Sequence, residues 1–137
     1  MTEEFTRGRD PVLDLDAEIA ECRQQLSAAA ADATARPMVL VGLGVLLYRR
    51  FEQTDARADL EEAVSVCREG VSDSAGHPHR GWMLAALGGV LRARAIRTGD
   101  AGDLDEVVTV CRDAVDATPG GDQDHRNALT NLMAALL

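Results

Sequence analysis

Lysine is missing altogether: the 14 basic residues of this 137-residue chain are all arginine. This reads as codon bias in a GC-rich genome. Basic residues are also outnumbered, with 23 acids giving a net charge of -9. Such a chain is a poor nucleic-acid binder, because binding needs cations that replace phosphate counterions. Aromatics amount to 3%, namely Phe5, Tyr48, Phe51 and Trp82. A core must then be built from Leu, Val and Ala, as in closely packed helices. Cysteines number three, far apart and without a CxxC pair. That excludes a disulfide framework or a zinc ribbon and makes a reducing cytoplasm the expected compartment. Long hydrophobic runs are absent too. The longest, Met38 to Tyr48, has eleven residues and ends at Arg49-Arg50. A membrane span needs about 20, so the run predicts a buried helix and no membrane partner. The opening MTEEFTRGRD has no apolar stretch behind it and is not a secretory signal. Residues 1–11 are expected to be a mobile tail, and 12–137 a single domain by length.

Within that domain lie internal repeats. Asp14 opens DLDAEIAECRQQL, Asp59 opens DLEEAVSVCREGV and Asp103 opens DLDEVVTVCRDAV. Cys22, Cys67 and Cys111 fall at one place in each, 45 and 44 residues apart. A second series interleaves with the first: RPMVLVGLGVLL from Arg36, RGWMLAALGGVL from Arg80 and RNALTNLMAALL from Arg126. Leu43-Gly44, Leu87-Gly88 and Leu132-Met133 correspond. Spacings of three and four put Leu60, Val64, Cys67 and Val71 on one apolar stripe, and Leu104, Val108, Cys111 and Val115 on another. Leu40, Leu43 and Leu47 do the same in the second series, echoed by Leu84, Leu87 and Leu91. Acids crowd the first turns of the first series, where they complement the helix dipole. Breakers at Arg36-Pro37, Gly76-His77-Pro78, Thr98-Gly99-Asp100 and Pro119-Gly120-Gly121 fall between helices. The expectation is all-α: six helices over about 12–32, 36–52, 57–73, 79–97, 101–117 and 123–137. Short joints make neighbours antiparallel and let the hairpins stack.

The pattern resembles the tetratricopeptide repeat. Leu40, Leu43, Gly44 and Leu47 match the family's first helix, as do Leu84, Leu87, Gly88 and Leu91. Ala63, Cys67 and Gly70 match its second helix, as do Val107, Cys111, Ala114 and Pro119. Met133 stands where the third copy should have glycine. The period of about 44 exceeds the family's 34. Long repeats of this kind look like the arrays that often precede caspase-like CHAT domains in actinobacterial proteins. The resemblance implies a right-handed stack of antiparallel hairpins that binds proteins and is not an enzyme.

The chemistry-bearing residues have bland readings. One cysteine per hairpin is too widely spaced to share a metal and reads as core packing. His77, His79 and His125 sit in joints, with nothing that fixes a metal geometry. Gly42, Gly44 and Gly88-Gly89 match no nucleotide loop, and no serine has a nucleophile-elbow context. No catalytic residue, metal or cofactor is expected. Arg23, Arg68 and Arg112 are expected to pair with acids on the same or the next hairpin, at 0–1 kcal/mol each.

The resemblance also implies a concave face made by the first helices. Here that face holds Met38, Val41 and Val45, then Trp82, Ala85 and Gly89, then Asn127, Thr130 and Ala134. Tyr48, Arg49 and Arg92 lie at its ends. Such an apolar surface with one Trp either receives a protein or peptide or is covered by the chain's own helices. The last helix crowds Leu129, Leu132, Met133, Leu136 and Leu137 together. It is expected either to continue into a longer array or to be covered by another subunit as a homodimer. A regulatory domain that holds a small apolar ligand in a closed cavity near Gly42, Gly44 and Gly88 is the alternative.

Overall fold

A computed structural model of the protein describes residues 11–137. It comprises six helices: α1 (Pro11–Ala28), α2 (Ala35–Thr54), α3 (Arg57–Ser72), α4 (Arg80–Thr98), α5 (Ala101–Ala117) and α6 (Gln123–Leu136). No strand occurs among the described residues. Helices α2–α3 and α4–α5 form the two tightest pairs, and α1, α3 and α5 each also pack on the helix that follows. The helices α2, α4 and α6 neighbour one another in turn. The result is the stack of helical hairpins that the sequence period requires.

The helix ends explain themselves locally. Helix α1 stops at Ala28, four residues before its expected end. The Asp32 carboxylate instead accepts from the Thr34 and Ala35 amides, both at 3.0 Å, at the start of α2. Pro37 lies inside the first turn of α2 rather than in the joint before it. No intrahelical N–H bond is expected there, so the ring does no harm. Pro11 likewise opens α1. The mobile tail expected over 1–11 otherwise lies outside the described residues.

The α2–α3 and α4–α5 joints are copies in three dimensions. Each reverses through a left-handed residue, Asp55 at φ 60° and Gly99 at φ 67°. Glycine takes this conformation without strain and aspartate tolerates it. Thr54 and Thr98 donate to the carbonyls of Arg50 and Arg94 at 2.9 and 3.0 Å. Each threonine hydroxyl then accepts the amide two residues on at 3.2 Å.

Two seams hold each hairpin. Gly44 and Gly88 face α3 and α5, and the sulfurs of Cys67 and Cys111 fill the notches they leave. Around them Leu40, Leu43, Leu47, Leu60, Met83, Leu91, Val64 and Val107 are fully buried. Burying such side chains is worth about 1.5–3 kcal/mol each before entropy is counted.

The second seam is ionic. Arg50 donates through Nε and Nη2 to Asp59 at 2.8 and 2.7 Å, and through Nη1 to Asp16 at 2.7 Å. One arginine of α2 thus clasps its own hairpin partner α3 and the preceding α1. Arg94 repeats the arrangement one unit on. It holds Asp103 with two bonds of 2.8 Å and Glu61 at 3.2 Å. Asp59 and Asp103 are buried, so these first-turn acids do more than complement a dipole. A further ladder runs outside: Arg23 forks onto Glu62 at 2.6 and 3.0 Å, and Arg68 onto Glu106. Arg112, the third copy, has no carboxylate partner among the described residues.

One stripe residue departs from expectation. Leu15 and Leu60 are buried, but Leu104 is 38% exposed. Arg94 on Glu61 shows that the late turns of α4 lie over the start of α3.

Candidate functional site

Helices α2, α4 and α6 line a hollow of about 320 Å³. Helix α2 contributes Val45 and Tyr48, one turn apart, and α4 contributes Trp82, Ala85 and Gly89 on the same helical spacing. Asn127 and Thr130 come from α6. Small residues on α4 create the depression: Ala85 and Gly89 lower the floor between Trp82 and Tyr48. The walls are apolar on α2 and α4 and carry amide and hydroxyl groups on α6.

A second hollow of about 360 Å³ adjoins the first and shares Tyr48 and Gly89. It follows the last turns of α2 and α4, past Phe51 and Arg92 to Ile96, which is 67% exposed. Tyr48 and Phe51 stack with ring centroids 6.2 Å apart. The Arg97 guanidinium lies 5.4 Å above the Phe51 ring and pairs with Asp55. The groove has unlike ends. Asp124 stands at the α6 end of the first hollow, and Arg92 lines the second. Partial burial, and then the charge of Asp122, push the Asp124 carboxyl above the usual carboxylate range.

The structure sorts the residues that sequence reasoning assigned to this face. Val45, Tyr48, Trp82, Ala85, Gly89, Asn127 and Thr130 line the first hollow, and Arg92 lines the second. Val41 does not reach the surface. It is fully buried, with its methyl group against Gly70 of α3. Met38 is half-buried against the core. Arg49 is exposed and lines neither hollow, and neither does Ala134. The reasoning missed Ala86, Val90, Asp124 and Asn131 in the first hollow. Ala86 and Asn131 follow Ala85 and Thr130 directly, so a wider helical arc around the assigned positions includes them.

Other candidates are absorbed by the fold. Of the glycines expected beside a closed ligand cavity, Gly44 and Gly88 face cysteine sulfur, and Gly42 has nothing within 4 Å of an added carbon. Burial pushes the Cys67 thiol up to about 12 and the Cys111 thiol up to about 11, so neither is a nucleophile near neutral pH. His77 Nε2 lies 2.9 Å from the Thr34 carbonyl, and His125 Nδ1 lies 3.1 Å from the Thr118 hydroxyl. Among the described residues no group of three or more His, Cys, Asp or Glu is placed to hold a metal. No described helix is long and apolar enough to cross a membrane.

One comparison with known proteins bears on this geometry. Residues 38–79 match the tetratricopeptide repeat family. The matched stretch is nearly all of α2, then α3 and the joint to α4, and α4–α5 repeats its glycine–cysteine notch and arginine clasp. No curated protein and no solved structure matches the chain.

Proposed function

We propose that this tetratricopeptide-like chain is a protein-binding or assembly module that takes a peptide segment in the groove of α2, α4 and α6. Repeats of this family serve as interaction scaffolds. The observation that supports the groove as the binding site is the hollow of about 320 Å³ floored by Ala85 and Gly89 beside Trp82. Trp is the residue most enriched among binding hot spots. An apolar side chain of the partner sits between Trp82, Val45 and Tyr48. The Asn127, Thr130 and Asn131 side chains bond its backbone. A cationic residue of the partner falls toward Asp124 and an anionic one toward Arg92.

Trp82 is the chain's one tryptophan, so its fluorescence reports the groove directly. A peptide selected against the intact chain from a random display library is expected to shift that emission. Trp82→Ala is expected to weaken the peptide by at least about 2 kcal/mol, roughly 30-fold. Selected peptides that leave the emission unchanged and bind the folded Trp82→Ala chain equally well would remove the groove reading.

A further inference from the structure

The second hollow, of about 360 Å³, sets an apolar patch between charges of opposite sign. Its α4 wall runs from Arg92 to the exposed Ile96, and its α2 wall from Tyr48 through Phe51 to Asp55. Asp55 holds Arg97, but Arg92 has no carboxylate partner among the described residues. Both walls are interior helices of the stack. Residues 1–10 lie outside the described residues, and their sequence is MTEEFTRGRD.

We propose that residues 3–7 of this same chain occupy the second hollow, with Phe5 on Ile96 and Phe51, and that a partner entering the groove must displace them. Three observations select that occupant. First, the charges match in order. In an extended segment alternate side chains share a face about 6.6 Å apart, which puts Glu3, Phe5 and Arg7 on one side. Arg92 and Ile96 stand one helical turn apart, about 6 Å, and Phe51 and Asp55 have the same spacing. Glu3, Phe5 and Arg7 then meet Arg92, the apolar patch and Asp55 in step. The Asp55 side chain is 70% exposed, so its carboxylate can accept a second guanidinium beside Arg97.

Second, the direction agrees. Asp16 of α1 bonds Arg50 of α2 at 2.7 Å, and the Cys22 sulfur lies 3.5 Å from the Val39 carbonyl. The two helices are therefore antiparallel, and Pro11, about 7.5 Å beyond Asp16, stands level with the last turn of α2. A chain that leaves Pro11 meets the hollow at its Asp55 end, so Arg7 arrives there before Phe5 and Glu3 go deeper. Third, the reach suffices. Phe5 precedes Pro11 by six residues, roughly 20 Å of extended chain. The helix it passes is about 10–12 Å wide. A short tether also holds the segment at an effective concentration of about millimolar, so a weak contact is enough. Tyr48 and Gly89 belong to both hollows, and Arg92 is where the groove reading sets an anionic residue of the partner. Displacement by a partner rests on that reading, whereas the docking does not.

A benzophenone-bearing phenylalanine at position 5 of the full chain keeps the aromatic anchor and reports what lies against it. On illumination at about micromolar concentration, monomeric chains are expected to carry cross-links to residues 48–55 and 89–97, mapped by mass spectrometry. Arg92→Glu is expected to lower that yield at least fivefold with unchanged helical circular dichroism, and Glu3→Arg added to it to restore the yield. Cross-links scattered over the chain, or formed between chains, overturn the docking. So does a yield indifferent to Arg92→Glu. The peptide selected by display is expected to bind full-length Phe5→Ser about 3–10-fold more tightly, as when the open groove is a minor fraction of the wild type. Equal affinity overturns the displacement. If no selected peptide enters the groove, the cross-links still decide the docking, so the two readings fail separately.

Discussion

The sulfur of Cys67 occupies the notch that Gly44 leaves in α2, and Cys111 meets Gly88 in the same way one unit later. The glycine lets α3 and α5 approach their partners, and the cysteine is the small apolar group that fits what remains.

The two notches differ in stiffness, which gives a graded expectation. A carbon at Gly88 meets mainly the Cys111 sulfur, whereas one at Gly44 also presses the Ala63 carbonyl at 3.2 Å. Overpacking costs about 1–3 kcal/mol, and alanine returns about 1 kcal/mol of helix propensity. Gly44→Ala is expected to lose about 2 kcal/mol and Gly88→Ala about 1 or less. Gly42 has nothing near it, so Gly42→Ala is expected to stabilise the fold by up to about 1 kcal/mol. Urea midpoints order the three. In the Gly88→Ala/Cys111→Ala double variant the losses should fall short of additive, because the sulfur that clashes is gone.

The ionic clasp makes stability fall in acid. The Arg94 guanidinium holds the Asp103 carboxyl below its ordinary 3.8, and Arg23 holds Glu62 below its ordinary 4.5. A depressed carboxylate contributes stability that is complete above the ordinary value and is lost as pH falls through the folded value. Asp103→Asn is expected to cost about 2 kcal/mol at neutral pH, since Arg94 keeps only Glu61. The gap should narrow as pH falls below the ordinary 3.8 and close once pH is below the depressed folded value of Asp103. Denaturant melts across pH 2–7 show whether the gap closes.

Thiol chemistry should report unfolding rather than activity. With Cys67 pushed up to about 12 and Cys111 up to about 11, neither should react with a thiol reagent at about pH 8 in the native chain. Cys22, on α1 and 9% exposed, is expected to react first, through local opening of that helix. All three should label in denaturant. Rapid native labelling of Cys67 would contradict the packing described for α3.

Much of this was legible in the sequence because repetition turns local pattern into topology. Cys22, Cys67 and Cys111 at spacings of 45 and 44 imposed recurring helices, and three-four spacing told which edge of each is apolar. The identities Gly44 and Cys67 were enough to foresee a close approach between helices, because only small groups permit one. That Arg23 and Arg68 pair with acids of the next hairpin was also expected, but the partners Glu62 and Glu106 were not named by the pattern, and Arg112, expected to do the same, has no carboxylate partner among the described residues. Contacts that join unlike places were not legible. Arg50 and Arg94 reach nine residues along the chain to Asp59 and Asp103 and also back to the preceding hairpin. That reach depends on where each joint turns. Nor could pattern separate Val41 from Val45: both lie toward one side of α2, and only the nearness of Gly70 buries the first and leaves the second in the groove. The same holds for Leu104 and Leu60, alike in sequence place. Periodicity determines which side of a helix must be covered, while the position of the neighbouring helix decides whether it is.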